Sequence, residues 1–125
     1  MAFMILIVFA WLVTASSAAF ANTPARQCGT LAPSDTVSGP LTIAGIERQE
    51  LATHTEILKI RPDYPKLPFG FMNAEWTIFK SRFRSGDTIV RYSTDRRSWK
   101  HHAGEAGYAL MRSGCLVATF KTMWN

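Results

Sequence analysis

A chain of 125 residues has room for one domain, and 47% hydrophobic with 18% charged residues is the balance of a globular protein. Fourteen Lys and Arg against nine Asp and Glu give a net charge of +5, which favours anionic contacts without selecting a fold. Two cysteines allow one disulfide at most, and no repeat of solenoid length occurs.

Residues 1–21 begin with the apolar run MAFMILIVFAWLV and end in Ala19-Phe20-Ala21. This is the layout of a secretory signal peptide with an A-x-A cleavage site, lacking only a basic residue before the apolar run. An uncleaved signal anchor is the competing reading, because about 20 apolar residues span a bilayer. The polar, alanine-rich TASSAAFA favours cleavage. Export in turn favours a disulfide between Cys28 and Cys115, with two separate thiols as the alternative.

Residues 22–39 are rich in Pro, Gly, Ser and Thr and read as an irregular arm. Residues 40–125 are expected to form a single α+β domain, one main helix on a small antiparallel sheet of about four or five strands. PLTIAGIE (40–47) reads as a first strand. LATHTEILKI (51–60) reads as a second on its alternation and β-branched content, with a helix through 47–59 as the alternative. Pro62, Pro65 and Pro68 then impose an extended strap with Tyr64, Leu67 and Phe69 packing beneath it.

Met72, Trp76, Phe79 and Phe83 fall on one face of a 3.6-residue period and predict the main helix over 72–84. Asn73 is its candidate N-cap, and Gly86 a candidate stop. DTIVRYS (87–93) reads as a strand. YALMR and CLVATF, joined at Ser113-Gly114, read as a terminal β-hairpin. That register pairs Arg112 with Cys115 and gathers Ala109, Met111, Leu116, Ala118 and Phe120 on one apolar face, where the helix is expected to dock.

Charge separates along the chain. Residues 22–75 carry five basic and six acidic side chains; residues 76–125 carry nine and three. The basic excess centres on TDRRSWKHHAGEAG (94–107). Arg96, Arg97 and Lys100, with Arg91 and Arg112, are the candidate anion-binding residues. Trp99 is either the anchor of this loop or an exposed stacking platform. For an exported chain the available anions are phospholipid, lipopolysaccharide and wall polymer; nucleic acid is disfavoured there. Membrane contact would otherwise come only through an uncleaved leader.

No hydrolase, metalloprotease or phosphate-loop motif occurs, and no cofactor signature. Adjacent His101 and His102 point apart and do not suit one metal ion. A small hydrolase or transferase pairing His101 or His102 with Glu105 or Tyr108 is the second reading, and a protein-binding or inhibitor module using the strap of residues 62–71 is the third.

Gly86, Asp87, Ser98, Trp99, Ala103, Gly104, Gly107, Tyr108, Ala109, Arg112 and Gly114 stand in the order G-D, S-W, A-G-x-x-G-Y-A-L-x-R-x-G. Over about 40 residues this resembles the C-terminal half of a group of small exported bacterial proteins. The resemblance implies a bacterial source and an envelope location and points to no catalytic residue. The pattern ends near M-N; here Trp124, inserted between Met123 and Asn125, departs from it.

Overall fold

The computed structural model describes residues 28–125; the expected leader and the first part of the expected arm lie outside it. Four strands, β1 (Thr36–Leu41), β2 (Thr88–Ser93), β3 (Glu105–Arg112) and β4 (Cys115–Trp124), pair antiparallel in the order β1-β2-β3-β4. Helices α1 (Ile43–Ile60) and α2 (Asn73–Ser81) lie between β1 and β2 in sequence, and a short α3 (Arg96–Lys100) joins β2 to β3. The α+β class and the terminal hairpin are as expected. No helix among the described residues is long and apolar enough to cross a membrane.

Two elements correct the sequence reading. The arm ends as strand β1 from Thr36, so the first strand takes only Pro40 and Leu41 of 40–47, and α1 takes over from Ile43. Residues 51–60 are the second half of an 18-residue helix rather than a strand. Thr42 caps that helix by accepting the Gly45 N–H at 3.0 Å, which satisfies one of the free donors of its first turn. Its inward stripe runs Ile43, Ile46, Glu50, His54, Ile57. Two polar residues interrupt that stripe, so hydrophobic period alone does not announce it, while Thr53 and Thr55 supply the false strand signal.

Helix α2 forms where expected but is shorter. A 3-10 turn, Gly70–Met72, leads into it, and Asn73 stands inside it, donating its side-chain N–H to the Pro68 carbonyl at 2.9 Å. Trp76 and Phe79 are buried, while Phe83, beyond the helix end, is 38% exposed. Phe69 enters the core from the strap, its ring 4.8 Å from both Trp76 and Phe120. Tyr64 is half-buried and Leu67 lies outside.

The hairpin turns at Ser113-Gly114, both with positive φ, and opens with the expected pairs Arg112–Cys115 and Met111–Leu116. A bulge at Val117 then shifts the register, so Leu110 pairs with Ala118 and Ala109 with Thr119. One extra residue reverses the side on which later side chains fall. The helices therefore dock on Tyr108, Leu110, Ala118 and Phe120, joined by Ile89 of β2, and not on Ala109 and Met111. Ile46, Phe69, Trp76 and Phe79 close this core from above.

The opposite face is covered differently. Cys28 and Cys115 form a disulfide with Cα atoms 5.1 Å apart, and the Leu116 N–H donates to the Gly29 carbonyl at 2.8 Å. From there the chain passes from the β4 edge to β1 at the other. Asp35, on the way, adds its negative charge near the Tyr92 hydroxyl, which donates to Glu105. Burial first, and these carboxylates second, push the Tyr92 phenol up to about 12.

Candidate functional site

The α3 loop is built to hold its cations outward. Asp95 caps α3 by accepting the Ser98 N–H at 2.8 Å, and these Ser98 bonds hold its carboxyl below the usual range. His102, at φ 55, ends the helix in the left-handed region. Thr94 and Glu105 exchange backbone and side-chain hydrogen bonds at the loop base. Asn125 clamps the far side, accepting from the Gly104 N–H and donating to the Trp99 carbonyl, both at 2.9 Å. Trp99 is half-buried, its indole N–H donating to Ser93 Oγ at 3.2 Å and its ring lying against Gly104. This is the anchor role: a Cβ on Gly104 would overlap the indole.

On this support Arg96, Arg97 and Lys100 are exposed, as are His101 and His102. Among the described residues none of the three cations makes an ion pair. The other two predicted anion contacts lie elsewhere. Arg112 forms a two-pronged pair with Asp87, both bonds 2.8 Å, and donates to the Arg82 carbonyl. Arg91 points to the helix side of the sheet, bonding the Tyr108 hydroxyl at 3.0 Å and Gln49 at 3.2 Å. Neither joins the α3 cluster, because alternation along β2 and the Asp87 pairing turn them away.

The proposed acid–base partners are also apart. Glu105 and Tyr108, three residues apart on one strand, face opposite sides of the sheet. Glu105 is engaged by Tyr92 and Lys121, Tyr108 by Arg91, and neither bonds His101 or His102. Among the described residues no three His, Cys, Asp or Glu side chains gather as a metal site.

A second constellation escaped the sequence reading. Under α1 a recess of about 490 Å³ is lined by Ser38, Glu50, Tyr64, Arg91, Tyr108 and Thr122, among others. Burial raises the Glu50 carboxyl, against the opposing pull of His54 and Arg91. His54 stands behind it, 4% exposed, its ring edge-on to Tyr64 at 5.2 Å. Neither His54 ring nitrogen has a hydrogen-bond partner among the described residues. The signal for this site was the i, i+4 spacing of Glu50 and His54, visible only once 51–60 is read as helix.

No protein-family model, curated protein or solved structure matches this chain.

Proposed function

We propose that this chain is an exported, non-catalytic binding module that attaches to an anionic component of the cell envelope through α3. The anion is the phosphate or carboxylate of a phospholipid, a lipopolysaccharide or a wall polymer. The observation carrying this reading is three exposed cations, Arg96, Arg97 and Lys100, on one five-residue helix without an ion-pair partner among the described residues. Near an anionic surface each such residue is worth about 1 kcal/mol, so the three together favour binding about 100-fold. The disulfide suits an oxidising compartment and so supports export.

Co-sedimentation with anionic vesicles, with lipopolysaccharide micelles and with wall fragments separates the sources. Binding to one of them is expected to fall steeply between low and high salt, since exposed charges are screened. Replacing Arg96, Arg97 and Lys100 by Ser is expected to cost about 100-fold by the same estimate. Salt-independent binding, or binding that survives the triple replacement, rules the reading out.

One observation favours a second role. The recess under α1 combines hydroxyls from Ser38, Tyr64 and Thr122 with the Arg91 guanidinium and a partly buried carboxyl from Glu50. Hydroxyls beside a guanidinium, a carboxyl and aromatic rings fit a small polyhydroxylated ligand, such as one saccharide unit of a wall polymer. Calorimetric titration with wall-derived mono- and disaccharides is expected to show binding that Arg91→Ala weakens at least tenfold. Equal heats from wild type and variant refute it.

A further inference from the structure

A separate groove of about 780 Å³ runs between α2 and β4. Its floor is Phe79, Ala118 and Phe120, and its rims are Ile78 and Trp124, 66% and 65% exposed. β4 is an edge strand of ten residues. Among the described residues only Leu116 is bridged on that outer edge, by Gly29. A long open edge beside exposed apolar side chains is a template for another strand.

We propose that a second copy of this chain closes the groove. The charge order along α2 and its C-cap residue Arg82 selects that occupant. Glu75, Ile78 and Arg82 stand at i, i+3 and i+7, and all three line the groove. Neither Glu75 nor Arg82 makes an ion pair among the described residues. A two-fold axis perpendicular to the sheet sets β4 antiparallel to β4 of the second copy, and α2 antiparallel to its α2. Reversed in this way, acid–apolar–base is its own complement. Glu75 faces Arg82 of the second copy at both ends, and Ile78 meets Ile78 in the middle. Such self-matching is what an isologous interface requires. The apolar floor supplies the affinity, and the exposed charge pairs fix register and exclude the parallel arrangement. The two four-stranded sheets become one continuous sheet with the helices on a common side.

The full chain, as the producing cell processes it, is examined by sedimentation equilibrium from micromolar to high micromolar concentration. A concentration-dependent dimer is expected. Glu75→Arg and Arg82→Glu, made singly, set like charges against each other and are expected to raise the dimer dissociation constant at least tenfold. The double variant restores the order in reverse and is expected to regain the dimer. Circular dichroism of each variant shows whether it folds, and rescue by the double variant is an effect that misfolding does not produce. A wild-type monomer at every concentration overturns the proposal and leaves the groove to the residues preceding Cys28 or to a foreign strand. Dimerisation indifferent to the single changes, or a double variant no better than either single, overturns it as well.

Discussion

Asp87 shows how one side chain can spend the charge of another. Its side chain is 1% exposed, and it accepts two N–H groups from Arg112 and one from the Arg84 backbone at 2.8 Å. The Arg112 bonds, more than the backbone bond, hold the carboxyl at about 2. A carboxyl lowered by folding makes the unfolded chain the better proton binder in acid, so stability rises with pH there. The contribution is whole above the ordinary aspartate value near 4 and is lost as pH falls toward about 2. Thermal unfolding is expected to show Tm falling across that window in the wild type. Arg112→Met is expected to lower Tm at pH 7 and to flatten the acid slope, so that the two curves converge near pH 2. Curves that stay parallel down to pH 2 exclude the linkage. This pair also explains why Arg112 stands apart from the α3 cations: Asp87 lies 25 residues away, and nothing in either neighbourhood announces the pairing.

Among elements, β4 carries the most consequence. Its two irregularities, at Val117 and at Thr122, bend it and bring the Phe120 carbonyl against Gly107. A methyl group there would overlap backbone, which has no rotamer by which to withdraw. Gly107→Ala is therefore expected to cost about 1–3 kcal/mol as an overpacked position. For a domain of this size that lowers Tm by about 4–8 °C per kcal/mol, measurable by calorimetry. An unchanged Tm shows that β4 can retreat.

The same strand marks where sequence reading stops. The Ser113-Gly114 turn was legible because two adjacent residues carry it, and α2 because Trp76 and Phe79 keep helical spacing. The bulge at Val117 was not, since no residue type demands it, and it sets Tyr108 and Leu110, in place of Ala109 and Met111, beside Ala118 and Phe120 in the core. Helix α1 was hidden by Glu50 and His54 inside its own buried stripe. The α3 cations stand out as a cluster in the sequence because they are nearly contiguous in the chain. The recess under α1 was missed because β1, α1, the strap, β2, β3 and β4 each lend it a piece.

Taken as one body, the fold is an antiparallel sheet with its strands in chain order, the arm that leads into the first strand being tied to the last. The disulfide spans a separation of 87 residues and secures the arm to the start of β4. Loop-closure entropy assigns such a crosslink about 4–5 kcal/mol, less whatever the native state gives back. Cys28→Ser with Cys115→Ser is expected to shift the urea midpoint down accordingly, with reductant leaving the variant unaffected and bringing the wild type to the same value. A wild type indifferent to reduction shows that the sheet stands without the crosslink.

The position of that crosslink also decides how the molecule bears tension. A pull on the two chain ends passes from Cys28 straight to Cys115 and loads β4 alone, while the intervening residues are shielded from the force. Stretched singly, the oxidised domain gives up β4 while the residues between the two cysteines stay off the line of force. Cutting the sulfur bond frees about 300 Å of further length in one event.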